Sequence, residues 1–251
     1  MINKKLSNYL IPLQRFIWLS NFYRPTGVQY HYSRKPHDIE EKMYEIATQE
    51  SALYIMKNMR KISGTIDPLY ILEFCVKVAP DKGLFLEFGV YRGGSINHIA
   101  KFTDQLIHGF DSFEGTPEDW ETCPRGAYDA NGKIPKAPDH VIFHKGWFNE
   151  TIPEFKKNYS DNIAFMHIDS DLYSSAKTIF DELGELIVPG TVIVFDEYFN
   201  YPGWQYHEFK AFQEFVHKYN VKYEYIAWCR RGYSAALQIK EITHNTKSSL
   251  A

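Results

Sequence analysis

Leu84 to Ser95, which reads Leu-Phe-Leu-Glu-Phe-Gly-Val-Tyr-Arg-Gly-Gly-Ser, restricts the choice of fold more than any other stretch of the chain. An apolar run without polar alternation belongs in a sheet covered on both faces, the usual setting of parallel strands. The run stops at Gly89, Gly93 and Gly94 follow, and Ser95 opens a helical-looking segment from Ile96 to Phe102. Glycines at such a junction allow a tight turn and a close approach of backbone to a ligand. Ser95 is placed to cap the helix, whose free N–H groups would then face that ligand. The spacing of Gly89, Gly93 and Gly94 is not the G-x-G-x-x-G of dinucleotide sites, and Glu87 sits inside the strand end. That variation suits nucleosides without a pyrophosphate. Alone, the stretch predicts the first β-α turn of a Rossmann-like sheet, with an ordinary glycine turn as its competitor.

The rest of the chain alternates in the same sense. Ile107 to Phe110, Val141 to Phe143, Ile163 to Ile168 and Thr191 to Phe195 read as further strands, the last entered through a Pro189-Gly190 turn. A helix is expected from about Ser174 to Ile187, and Phe209, Phe212, Val216 and Tyr219 mark another. Tyr223 to Trp228 and Ser234 to Ile239 read as a closing antiparallel pair around Arg230-Arg231-Gly232. Upstream, Asp38 and Glu41 form a capping box for a helix reaching about Arg60, with Ile39, Met43, Ile46 and Leu53 on one face. Pro68 starts a second helix, closed by Pro80 and Gly83. Ser112 to His140, punctuated by Gly and Pro, is long for a connection in a compact domain, which predicts a lid or a disordered stretch. The organisation expected is an arm and helix over 1–60, a Rossmann-like domain over 61–242 and a frayed tail over 243–251.

Bulk properties exclude several classes. A net charge of −3 supplies no general drive toward nucleic acid, and no apolar run reaches the length of a membrane span. Three widely spaced cysteines, Cys75, Cys123 and Cys229, form neither a disulfide framework nor a metal motif, which points to a cytoplasmic setting. Met1 to His37 carries six Lys or Arg residues, no acid and seven aromatics. It reads either as an arm that folds over a substrate or partner, or as an extension that docks on the domain.

Ligands of open α/β sheets sit outside the carboxyl ends of the strands. Four strands of this chain end in acids there: Glu87, Asp111, Asp169 and the pair Asp196-Glu197. Glu87 and Asp111 suit a charged amino group and a ribose. Asp169, Asp196 and Glu197 could converge, repel one another and take up protons unless a hard cation such as Mg2+ joins them. The plainer reading makes Asp196 a helix cap and leaves Glu197 solvated.

Five segments in order carry a resemblance. They are Glu87-Phe-Gly-Val-Tyr-Arg-Gly-Gly-Ser95, Phe110-Asp-Ser-Phe-Glu-Gly115, Gly146-Trp-Phe with Thr151-Ile-Pro153, His167-Ile-Asp-Ser-Asp-Leu-Tyr173 and Phe195-Asp-Glu-Tyr198. Over about residues 84–240 the chain resembles the macrocin O-methyltransferase family, class I S-adenosylmethionine-dependent enzymes that methylate sugar hydroxyls. The resemblance implies an α/β, Rossmann-like class I methyltransferase fold, with a seven-stranded, mostly parallel sheet and helices on both faces. It implies Mg2+ held by Asp169, Asp196 and Glu197, although the family commonly has Asp-Asp where this chain has Asp196-Glu197. The donor is then expected against Glu87, Gly89, Tyr91, Gly93, Ser95, Asp111, Ser112, Gly146, Trp147 and Asp169. In that set Glu87 meets the methionine amino group, Asp111 the ribose and Trp147 the adenine. Asp169 is the first candidate for the base and Asp196 the second, with His144, His167 and His207 as substitutes. The acceptor is expected to be a small molecule bearing a sugar, the chain a homo-oligomer, and no nucleic acid a partner. A phenol-directed metal-dependent methyltransferase and a non-catalytic S-adenosylmethionine-binding module remain open; a nicotinamide dehydrogenase lacks its glycine motif.

Overall fold

A computed structural model of the chain describes residues 38–244. Five strands run parallel: β1 Leu84–Phe88, β2 Ile107–Asp111, β3 Val141–Lys145, β4 Ile163–Ile168 and β5 Ile187–Phe195. Two more, β6 Lys222–Trp228 and β7 Ala235–Glu241, pair antiparallel with each other, and β7 pairs antiparallel with β5. The order across the sheet is β3-β2-β1-β4-β5-β7-β6. Every side chain of β1 and β4 is buried, as their largely apolar sequences require, and the polar exceptions, Glu87 and His167, pair with each other.

Successive residues of β1 face opposite sides. Leu84, Leu86 and Phe88 join one core with α4 (Phe148–Lys156), α5 (Tyr173–Leu183) and α6 (Glu208–Tyr219). Phe85 joins the other with α2 (Pro68–Val78) and α3 (Gly94–Ile99). The chain leaves β1 for β2 on one side and later enters β4 on the other, which opens a crevice above β1 at the reversal.

Several expectations change. α4 is not apparent in the sequence because Pro153 lies inside it, where a missing N–H and a bulky ring disfavour a helix. The helix read to Ile187 ends at Leu183, passes through a 3-10 turn at Gly184–Leu186, and gives way to β5. Pro189 and Gly190 lie within β5 where the register against β4 shifts, a place that tolerates both residues. Thr243 and His244 are not frayed: the Thr243 N–H donates to the Tyr219 carbonyl at 2.8 Å, and His244 Nε2 lies 2.9 Å from the Ile187 carbonyl.

The first helix, α1 (Ile39–Asn58), buries only Ala47 and Ser51, while Ile39, Met43, Ile46 and Leu53 lie exposed. The apolar face read from the sequence is therefore not its docking face. Tyr54 docks it instead, with its ring against Tyr198, Trp204, Phe209 and Tyr225. The compact unit containing the sheet begins at Ile39, ahead of the boundary at residue 60 expected from the sequence. The arm before residue 38 lies outside the described residues. Among the described residues no helix is long and apolar enough to cross a membrane, and the three cysteines are free.

One histidine pair, buried at His108 and half-buried at His144, makes the fold sensitive to acid. His108 Nδ1 and His144 Nε2 lie 3.0 Å apart across β2 and β3, packed on Phe155. Burial, and then the neighbouring His144, lower the His108 pKa from 6.5 to about 4, and burial lowers that of His144. The unfolded chain binds these protons first, so the stability they favour is present above pH 6.5 and is lost as pH falls toward about 4. The melting temperature should fall across that window, and the double variant His108→Phe/His144→Phe should flatten the fall. Identical acid slopes in the two proteins would contradict this.

Candidate active site at the strand ends

The crevice above β1 is a cavity of about 540 Å3. Gly89, Tyr91, Asp111, Ser112, Gly146 and Trp147 line one part of it, and Asp169, Asp196 and Glu197 line another. Thr116, Pro117 and Tyr128 of the long connection add a wall. That connection is pinned by hydrogen bonds from the Ser174 hydroxyl to Glu118 at 2.5 Å and between His207 Nε2 and Glu121 at 2.7 Å.

Gly89 has φ +89°, and a Cβ there would lie 1.7 Å from the carbonyl oxygen of Asp169. The glycine is required by contact between the ends of β1 and β4 rather than by a ligand. Gly93 has φ +81° and itself occupies the cap position of α3, with no side-chain cap. Ser95 is the second residue of α3 and not its cap, correcting the sequence reading; it lines a second, smaller cavity of about 360 Å3 shared with Arg92, His167, Asp169 and Asp196. Gly93 is covered by Pro135, whose Cβ stands 2.9 Å from where a side chain would begin.

Asp111 does two things at once. Its Oδ2 accepts the N–H groups of Val90 at 2.7 Å and Tyr91 at 2.6 Å, and its Oδ1 accepts that of Phe113 at 2.6 Å. It thus locks the glycine turn while facing the cavity. Glu87 is fully buried, with Oε1 bonded to His167 Nδ1 at 2.8 Å and Oε2 left without a partner. Burial opposes a charge on His167, but the hydrogen bond and charge of Glu87, aided by Asp169 and Asp196, raise its pKa to about 9. His167 therefore stays protonated beneath the site, whereas His144 and His207 are engaged with His108 and Glu121.

The acids gather in a grouping that differs from the expected one. Asp169, Asp171 and Glu197 each place an oxygen within 4.8 Å of the others, while Asp196 Oδ1 accepts the Ser234 hydroxyl at 3.0 Å. The chain bends at Asp196 and Glu197, just beyond the end of β5, and the two neighbours take different partners, while Asp171 turns back through φ +60°. Asp196 still lines the same cavity. Burial first, and the Asp196 charge second, push Asp169 and Glu197 well above the usual carboxylate range and Asp171 to about 7. Glu197 Oε2 is buried without a partner. Converging carboxylates with raised pKa values and an unpartnered oxygen fit a hard divalent cation. Sequence reasoning missed Asp171 as a member of this group and missed Glu208, a buried acid at the start of α6 that looks like an ordinary acidic first turn.

Residues 86–198 match a protein-family profile described as a methyltransferase domain. The chain has a Rossmann-like methyltransferase fold. Among proteins of known function, it is 26% identical over 180 residues to the 8-demethyl-8-(2,3-dimethoxy-alpha-L-rhamnosyl)-tetracenomycin-C 4'-O-methyltransferase of Streptomyces olivaceus. That match covers 61% of this chain and 64% of the relative, so the chain spans under two thirds of the relative's length. Among solved structures, the O-methyltransferase NovP superposes with a TM-score of 0.54 at 23% identity, covering 69% of this chain and 79% of NovP. The calicheamicin methyltransferase CalS11 does so at 0.50 and 19%, covering 82% and 87%.

The lock at Asp111 is directly testable. Asp111→Ala leaves three backbone N–H groups without their acceptor and should cost about 1–3 kcal/mol of stability. Urea unfolding measures it, and a variant as stable as the parent would show that the turn holds without this side chain.

Proposed function

We propose that the chain transfers the methyl group of S-adenosylmethionine to a hydroxyl of a sugar or of a glycosylated or nucleotide-linked small molecule, with Mg2+ at the acidic strand ends. One observation carries this reading: the glycine turn with Asp111 and Trp147, and the cluster of Asp169, Asp171 and Glu197, line a single cavity. The Streptomyces relative, whose name describes 4'-O-methylation of a rhamnosyl tetracenomycin, supports a sugar as acceptor.

Glu87 lines neither cavity as the structure stands, but its buried Oε2 has no partner; in this reading that oxygen is the acceptor offered to the ammonium group of the donor, which must reach past the cavity floor to meet it. Asp111, with lone pairs left over, would take the ribose hydroxyls, and Trp147 and Tyr91, which line the same cavity, would border the nucleoside. Gly89, Ser112 and Gly146 complete the donor wall, and Gly93 and Ser95 shape the turn behind it. Asp169, Asp171 and Glu197 would hold the cation, with Asp196 beside them on the wall of the same cavity. A bound divalent cation lowers the pKa of a hydroxyl that it coordinates.

Asp169 receives the hydroxyl proton as the new oxygen–carbon bond forms and the methyl–sulfur bond breaks, its electron pair passing to sulfur. Asp196, with one oxygen engaged by Ser234, is the second choice. Alignment of donor and hydroxyl within one walled cavity supplies several kcal/mol more.

Methyl transfer to sugar acceptors should require Mg2+ and stop on addition of a chelator. Asp169→Asn should lower kcat by about 10²–10⁴-fold, the usual contribution of a positioned base. Asp196→Asn and Glu197→Gln should raise the Mg2+ concentration needed. Full rates in all three variants with chelator present would remove the metal from the account, and transfer to phenols alone would remove the sugar.

A further inference from the structure

Glu208 begins α6 and is completely buried, which is rare for a glutamate. Its hydrogen bonds come from the two turns that carry the acids. Oε1 accepts the Ser170 N–H at 3.0 Å and the Ser170 hydroxyl at 3.2 Å, and Oε2 accepts the Glu197 N–H at 3.4 Å. Ser170 stands between Asp169 and Asp171, and Glu197 supplies the third member of the cluster. One carboxylate therefore ties the backbone after β4 to the backbone after β5.

This arrangement is not what stability alone would select. Glu208 buries a fourth acid behind three others, and both burial and the charges of Asp171, Asp169 and Asp196 disfavour its ionised form. The Ser170 N–H opposes that tendency. A smaller polar residue at this first position of α6 would carry less electrostatic cost, but it would not span both turns. Glu208 lines neither cavity, so it touches no ligand there.

We infer that Glu208 is a positioning residue, which sets the separation of the Asp169–Asp171 turn from Glu197 and so sets how tightly the cluster binds a divalent cation. The inference rests on the cation in the proposed function and goes beyond it by assigning the control of cation affinity to a residue outside the cavity. Glu208→Gln keeps the size of the side chain and its two bonds to Ser170. It turns an amide donor, or at best one shared oxygen, toward the Glu197 N–H.

The test uses the full chain and titrates MgCl2 calorimetrically into wild type and Glu208→Gln, with S-adenosylmethionine affinity and melting temperature measured on the same samples. The expected result is a Mg2+ Kd weakened about 10–100-fold, the usual effect of removing a group that orients a ligand. S-adenosylmethionine affinity should be unchanged, and the methylation rate should recover at high Mg2+. Unchanged Mg2+ affinity in a folded variant would overturn the inference. So would an equal loss of both affinities with a lower melting temperature, which means general support of the fold. If Glu208→Gln does not fold, Ser170→Ala decides: it removes one of the three bonds, and a several-fold weaker Mg2+ Kd supports the inference while an unchanged one overturns it. A wild-type chain that binds no Mg2+ and transfers methyl groups in chelator would instead remove the cation reading, and this inference with it.

Discussion

The ends of β1 and β4 are pressed together, and the site exists because of that contact. The Asp169 N–H donates to the Phe88 carbonyl at 2.8 Å, and the Asp169 carbonyl oxygen fills the place of the missing Gly89 Cβ. No other residue fits there. The contact carries the last ladder step of the sheet into the loops, so the glycine turn of β1 and the acidic turn of β4 leave from adjacent points. The glycine turn and a group of carboxylates consequently share one cavity, although the two turns stand 80 residues apart in the pair Glu87–His167 just below.

Charge is the second constraint. Glu87, Asp169, Asp171, Asp196, Glu197 and Glu208 crowd into one region, and the described fold compensates only some of them directly. His167 answers Glu87, Ser234 answers Asp196, and backbone N–H groups answer Asp111 and Glu208. Asp169, Asp171 and Glu197 are answered least, and burial, then the Asp196 charge, raises their pKa values. Strain of this kind is common where a site waits for a cation or a proton. Its location beside the glycine turn is what the proposed methyl transfer draws on.

Much of this was legible in the sequence, and the remainder was hidden for identifiable reasons. The parallel strands announced themselves through unbroken apolar runs, and their acidic ends through position alone. The closing antiparallel pair was visible from two alternating segments. Glycine spacing showed a turn but not its purpose, because Gly89 is required by Asp169, a residue just past the end of another strand. Asp196 and Glu197 looked equivalent as neighbours, yet the direction of each side chain depends on the backbone after β5. α4 was concealed by Pro153, and α1 misled because its apolar residues are not the ones that dock it. Glu208 had no signal at all, since its role arises from two turns brought together by the sheet.

Diffraction from crystals soaked with Mn2+ and S-adenosylhomocysteine, collected at a wavelength where manganese scatters anomalously, tests the shared cavity most directly. The account predicts one anomalous peak among Asp169, Asp171 and Glu197, with the nucleoside in the same cavity against Asp111 and Trp147. A nucleoside bound elsewhere, or manganese absent from those carboxylates while the nucleoside is bound, would contradict it.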